Sequence, residues 1–303
     1  MHVPVLLQEM LQAIRPRSGG IYLDGTLGSG GYAEAILEAS RPDGIVIGLD
    51  LDREAIVRAS DRLCRYGERF RAVHGGFQHA GPLVASLGIR ALDGAVLDLG
   101  LSSDQLEDPE RGFSFRVSGP LDMRFDTSSG PNAMDYLNTL SVRQLEEMLA
   151  TYGGERYCKK LSRGIIQARD VGRLRSTGDL ANTITRLIGQ RRGKIHPATR
   201  TFRALRIAVN QELDNLSAAL EQIPPLLVPG GCFCVVSYHS LEDRLVKTSF
   251  RSRKREPDKW IVVTERPVRP SVEEVKANPR SRSARMRVLE AVSAGDFDKS
   301  LDG

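Results

Sequence analysis

Residues 21–50, IYLDGTLGSGGYAEAILEASRPDGIVIGLD, constrain the fold of this chain more than any other stretch. Ile21, Tyr22 and Leu23 make a short apolar run that Asp24 closes, and Gly25, Gly28, Gly30 and Gly31 follow at once. Glycines so placed let the backbone take positive φ and let a ligand approach with no Cβ in the way. Ala33, Ile36, Leu37 and Ala39 then recur at helical spacing, until Arg41, Pro42, Asp43 and Gly44 break the helix. Residues 45–49 are a second apolar run, too short for a helix and rich in β-branched side chains, and it ends on Asp50. Strand, glycine turn, helix and acid-tipped strand together predict one nucleotide-binding βαβ unit.

Two nucleotides fit that unit. Residues 28–33, GSGGYA, match the dinucleotide pattern G-x-G-x-x-G/A, and Asp50 stands about 20 residues on, where a ribose-binding acid belongs. Asp24 argues the other way, because a carboxylate at the mouth of the turn repels a pyrophosphate. S-adenosylmethionine carries no phosphate; its α-amino group and sulfonium are cationic and favour an acid nearby. These residues therefore favour S-adenosylmethionine over NAD, and a glycine turn that binds nothing stays open as the bland alternative.

Residues 3–14 read as a short amphipathic helix. Residues 70–74 and 92–97 predict a third and a fourth strand, the latter ending on Asp98. In open parallel sheets ligands bind beyond the carboxyl ends of the strands, so Asp24, Asp50, Phe77 and Asp98 are expected around one crevice. Phe77 could stack on adenine or tuck into the core. From residue 108 the alternation stops. Pro109, Gly112, Gly119, Pro120, Gly130 and Pro131 mark irregular chain. Helical patterns follow over 132–138, 142–152, 156–169 and 179–189, the last behind a Ser176/Thr177 start signal. Residues 202–222 read as one amphipathic helix with Leu205, Val209, Leu213, Leu216 and Leu220 on a face. A buried strand over 232–236 delivers Ser237, Tyr238, His239 and Ser240, and 261–264 with 286–291 make a last strand pair. The expected organisation is an α/β domain over 1–107 and 201–303, interrupted by an inserted helical domain over 108–200.

Charge bears on the partner. The chain has 303 residues and a net charge of +5, from 43 basic against 38 acidic side chains. Residues 156–206 hold fourteen Lys/Arg against Asp170 and Asp179 alone, the local excess that a phosphate backbone requires. Cys64, Cys158, Cys232 and Cys234 form no C-x-x-C pair, so neither a zinc site nor a disulfide framework is expected. No apolar run approaches the ~20 residues of a membrane span, and the first residues lack the pattern of a signal peptide. A cytoplasmic protein is expected, with no metal, no membrane and no obligate protein partner.

Seven blocks carry a family resemblance. They are HVPVLLQE at 2–9, DGTLGSGGY at 24–32, LDLGLSSDQL at 97–106, RGFSF at 111–115, GPLDMRFD at 119–126, HPATRTFRALRIAVNQEL at 196–213 and SYHSLEDRLVK at 237–247. In this order they resemble the bacterial S-adenosylmethionine-dependent methyltransferases that modify N4 of a cytidine in small-subunit ribosomal RNA. The resemblance implies a Rossmann-like class I methyltransferase sheet with an inserted all-helical domain for substrate recognition. It implies S-adenosylmethionine contacts at Gly30, Gly31, Tyr32, Asp50, Phe77, Asp98 and Gln105, to which Asp24 is added from the charge argument. It also implies small-subunit ribosomal RNA, or a ribosomal particle, as substrate. The family commonly has His where this chain has Tyr32, so only a backbone contact there would survive. The Pro-Pro-Tyr type motif of DNA amino-methyltransferases is absent after Asp98, so their catalytic residues cannot be carried over.

The N4 lone pair is delocalised into the cytosine ring, so the amine is a poor nucleophile. A protein can hold the reacting atoms in line at about 3–3.5 Å and place acceptors on the N4 hydrogens. Asp98, Ser237 and His239 are the candidate catalytic residues, with Ser102 and Ser103 as further acceptors. Arg191, Arg192, Lys194, Arg200 and Arg203 are expected to hold an RNA whose target base leaves its stack. The rivals are an NAD-dependent oxidoreductase, an RNA-binding assembly factor without transfer activity, and a DNA amino-methyltransferase.

Overall fold

Seven apolar runs pair into one sheet: β1 (Ile21–Asp24), β2 (Ile45–Asp50), β3 (Phe70–His74), β4 (Leu92–Asp98), β5 (Leu227–Ser237), β6 (Trp260–Val262) and β7 (Arg285–Ala291). The order is β3-β2-β1-β4-β5-β7-β6. The structure, a computed structural model, describes residues 4–189 and 196–292. β3, β2, β1, β4 and β5 run parallel, and β7 is antiparallel to both its neighbours. This is an open Rossmann-like sheet with an antiparallel strand next to one edge. The helices, in chain order, are α1 (Leu7–Ile14), α2 (Gly31–Ala39), α3 (Arg53–Leu63), α4 (Ala80–Ser86), α5 (Ser103–Glu107), α6 (Ala133–Thr139), α7 (Val142–Thr151), α8 (Cys158–Asp170), α9 (Thr177–Ile188), α10 (Thr199–Val209), α11 (Glu212–Gln222), α12 (Ser240–Arg253) and α13 (Val272–Ala277).

The chain divides into two compact units, Met1–Gly100 with Leu213–Gly303, and Leu101–Glu212. In the first, strands buried on both faces read as continuous apolar runs, and alternation shows only in which core each side chain enters. Tyr22, Val46, Val96, Cys234, Val236 and Met286 enter one core with Met10, Ile36 and Leu63 of α1, α2 and α3. Leu23, Ile47, Ala95, Leu97, Phe233 and Val235 enter the other with Val84, Leu216, Leu220, Val246 and Phe250 of α4, α11 and α12.

The second unit has a core of its own, built on Leu137, Leu145, Leu161, Ile165, Leu180, Ile184, Phe202 and Leu205. Helices α6, α7 and α9 begin where short polar side chains cap the first turn. Asn132 accepts from the Asp135 amide, Ser141 from Gln144 and Ser176 from Asp179.

One expectation is corrected. The single helix over 202–222 is two helices, α10 and α11, parted at Asn210 and Gln211. Gln211 takes a left-handed conformation (φ 49°). Asn210 explains the break: its Oδ1 accepts from Phe125 N at 2.7 Å and its Nδ2 donates to Met123 O at 2.7 Å. Arg206 then pairs with Glu212 at 2.7 Å across the gap. The helical unit spans Leu101–Glu212. Leu101 and Leu106 pack on the helical core, and α10 packs on α6 and α7.

Candidate active site

β1, β2 and β4 each end on an aspartate, and parallel pairing sets Asp24 beside Gly48 of β2 and Val96 of β4. Beyond Asp24 the chain turns: Gly25 N donates to Val96 O and Leu27 N to Leu49 O, both at 2.9 Å. Gly28 (φ +52°) and Gly30 (φ +80°) take left-handed conformations that residues with a Cβ rarely adopt. No side chain caps α2 at Gly30.

Asp24 is fully buried. Its Oδ1 accepts from Thr26 N at 3.2 Å, and its Oδ2 is buried with no hydrogen-bond partner. Burial, aided by the Asp50 carboxylate, pushes its pKa up to about 7 against the pull of the Thr26 and Ala33 amides. Asp98 is also pushed up to about 7, by burial first and by the charges of Asp24 and Glu242. The Tyr238 hydroxyl, donating to Asp98 Oδ1 at 2.8 Å, pulls it the other way. Thr26 Oγ1 accepts from Asp98 N at 2.6 Å and ties the ends of β1 and β4 together.

Burial raises Asp50 too, while its Oδ2 accepts from Gly28 N at 2.8 Å and its Oδ1 from Asp52 N at 2.9 Å. Among the described residues no Lys or Arg ion-pairs with any of these three carboxyls. A cluster of carboxyls without a Lys or Arg ion pair suits a cation and repels a phosphate. The residues present therefore fit S-adenosylmethionine, and the unpartnered Asp24 Oδ2 is the plainest sign of it.

The expected site residues part into groups. Phe77 is half-buried against the core, and its Cβ lies 3.3 Å from where a Cβ on Gly25 would stand, so it borders the turn. Gly31 opens α2. The Tyr32 ring is buried and its hydroxyl donates to the Val5 carbonyl, which leaves its backbone as the part that can meet a ligand. Gln105 belongs to the helical unit, where its Oε1 accepts from Ser102 N at 3.2 Å and Ser102 Oγ from Gln105 N at 3.1 Å, a capping box that starts α5. Ser237 Oγ donates to the Arg285 carbonyl at 3.3 Å, from β5 to β7. His239 caps α12, its Nδ1 accepting from Glu242 N at 3.4 Å and its Nε2 lying 3.0 Å from Glu242 Oε1. Ser237 is engaged by β7 and His239 by the first turn of α12, so of the expected catalytic three Asp98 alone is tied to the glycine turn. Arg200 donates to Gly154 O at 3.0 Å and Arg203 to Gly153 O at 2.7 Å, just past α7. Arg191, Arg192 and Lys194 lie outside the described residues.

Tyr238, Thr26 and Glu242 are site-forming residues that sequence reasoning missed. Glu242 Oε2 accepts from the Tyr238 and His239 amides at 2.9 and 3.2 Å and holds the bend after β5. Asp98 pairs with Val236 in register, and Tyr238 lies two residues on, so the period-2 rule would have found it once that register was known.

No helix among the described residues is long and apolar enough to cross a membrane. The model of the MraW methylase family matches residues 1–292. A relative from Sorangium cellulosum, named ribosomal RNA small subunit methyltransferase H, is 46% identical over 296 residues, 97% of this chain and 92% of that one. Relatives of the same name from Thermomicrobium roseum and Citrifermentans bemidjiense are also 46% identical, each over 96% of this chain and over 94% and 98% of their own lengths. An acid-lined glycine turn on this sheet, a family model matched along almost the whole chain and relatives sharing nearly half its residues agree: the chain belongs to the MraW methylase family.

Proposed function

We propose that this protein transfers a methyl group from S-adenosylmethionine to the N4 amine of a cytidine in small-subunit ribosomal RNA. The buried, unpartnered oxygen of Asp24 beside the glycine turn carries the donor half of that reading. The seven sequence blocks and the name shared by the relatives support the acceptor half. S-adenosylmethionine, when bound, supplies an electrophilic methyl group on a sulfonium. Asp24 would face its cationic end, Asp50 its ribose hydroxyls and Phe77 its adenine, with the backbone of Gly30, Gly31 and Tyr32 at the start of α2.

The N4 lone pair forms a bond to the methyl carbon as the carbon–sulfur bond breaks, and one N4 proton departs. Asp98 accepts that proton. Its Oδ2 has no hydrogen-bond partner among the described residues, and its raised pKa of about 7 is matched to proton transfer near neutral pH. Tyr238 fixes the carboxyl through Oδ1. The helical unit takes the RNA backbone, and Arg156, Lys159, Lys160 and Arg163 are exposed at the start of α8 for it.

The test incubates the protein with labelled S-adenosylmethionine and small ribosomal subunits from cells lacking the enzyme, then digests the RNA to nucleosides. Labelled N4-methylcytidine is the expected product, with naked ribosomal RNA and DNA as comparison substrates. Label in DNA alone would overturn the acceptor. Calorimetric binding of NAD but not of S-adenosylmethionine would overturn the donor.

A further inference from the structure

Helix α12 leaves the site carrying a row of cations that acids balance only in part. Its first residue follows His239, the N-cap, and Tyr238 just before that holds Asp98. Residues 244–255, RLVKTSFRSRKR, contain six Lys/Arg and no acid. Glu242, Asp243, Val246 and Phe250 turn inward and are buried. Arg244 and Arg251 lie on the opposite, exposed face, seven residues or about 10 Å apart along the axis, with Lys247 at its flank and Arg255 just past the last turn.

The two acids of α12 cannot balance them. Glu242 holds the Tyr238 and His239 amides, and Asp243 holds Arg285 and Arg287 at 2.8 Å each. Glu265 is taken by Lys254. Arg253 lies over Trp260, donates to Leu220 O at 2.8 Å and pairs with Glu221 at 3.7 Å. Among the described residues no carboxylate ion-pairs with Arg244, Lys247 or Arg251. Helix α3 of the same unit is unlike this: Arg58 pairs with Glu54 on its own helix, and Arg62 with Glu34 of α2.

We infer that the outer face of α12 is a docking ridge for the phosphate backbone of the substrate RNA, a second electrostatic contact on the sheet-bearing unit besides the helical insert. The inference rests on the RNA reading above. The span from Arg244 to Arg251, about 10 Å along the axis, is long enough to meet more than one backbone phosphate, and the ridge begins about five residues beyond His239, the residue that caps α12 and follows Tyr238. A backbone laid along it would run out of the site, which is where the flanks of a splayed base must go.

The test measures binding of the full chain to small-subunit ribosomal RNA across about 50–200 mM salt, for the unaltered protein and for the triple variant Arg244→Ala, Lys247→Ala, Arg251→Ala. Three lost phosphate contacts at about 0.7 each should flatten the log–log salt slope by about 2 and weaken binding on the order of 10- to 100-fold. S-adenosylmethionine affinity and melting temperature should stay unchanged, because all three side chains lie outside the pocket. The variant Arg244→Lys, Arg251→Lys should keep most of the slope, since a point charge is enough for a phosphate. RNA binding and a salt slope identical in the unaltered and alanine forms would overturn the ridge alone. Failure of the unaltered protein to bind RNA would overturn the function reading and the ridge together.

Discussion

Asp98 and Asp243 are aspartates of the sheet-bearing unit in opposite electrostatic states. Asp243 fastens α12 to β7. Burial pushes its pKa up, but hydrogen bonds from Arg287 Nε and Arg285 Nη1, each at 2.8 Å, outweigh that and hold it below its ordinary value. Asp98, like Asp24, receives amides or a hydroxyl but no cation, so burial wins and both rise to about 7. Charge is thus compensated where the fold needs a fastener and left open where a ligand has to enter. The missing positive charge at the strand ends is the one the methyl donor brings.

The largest effect expected from breaking this contrast is at Asp98. Replacing it with Asn keeps the shape and removes the proton acceptor, so single-turnover methyl transfer should fall about 10²- to 10⁴-fold. S-adenosylmethionine affinity should change far less. A loss under about tenfold would end the role given to Asp98.

Asp243→Ala should act on stability instead. It strands Arg287, only 5% exposed, without its partner, and removing one member of such a pair costs about 3–5 kcal/mol. Urea or thermal unfolding reads that directly. The pH dependence has a definite sign: the folded pKa lies below the unfolded one, so the stabilisation is complete above the ordinary carboxylate range. It is lost as pH falls below about 4.

Asp24→Asn sharpens the contrast because its sign is reversed. The folded pKa of about 7 lies above the value near 3.8 of an unfolded chain, so the ligand-free protein loses stability as pH rises between them. At pH above that window Asn should stabilise the empty protein by a few kcal/mol, while the titrated affinity for S-adenosylmethionine falls on the order of tenfold or more. An Asn variant that melts lower and binds the donor unchanged would show that this carboxyl is an ordinary core group.

The glycine turn and its acids were legible because local rules produce them. Each apolar run of the parallel core ends where a polar residue must meet the crevice, and Asp24, Asp50 and Asp98 are those residues. What stayed hidden depends on contacts between distant parts of the chain. The period that joins Leu205 to Leu220 runs unbroken through Asn210, and only the partners Phe125 and Met123, more than eighty residues earlier, reveal the break. Ser237 and His239 have the side chains of catalytic residues, yet a carbonyl of β7 and a glutamate of α12 engage them. Tyr238 stands between the two, just past β5, and is the one that reaches across to Asp98.

Tyr238→Phe gives the smallest and most diagnostic effect. The hydroxyl donates to Asp98 Oδ1 and lowers a pKa that burial has raised. A hydrogen bond to a charged group is worth about 1.5–3 kcal/mol, which corresponds to roughly one to two pKa units. Without the hydroxyl, Asp98 should hold its proton to higher pH, and the acid limb of the rate profile should move in the alkaline direction by about one unit. Transfer near neutral pH would then drop several-fold and recover toward the unaltered rate as the solution is made more basic. A hydroxyl that served only packing would leave the profile where it was, with any rate change equal at every pH. A shifted limb with an undiminished alkaline plateau therefore separates a residue that tunes the carboxylate from one that fills space beside it.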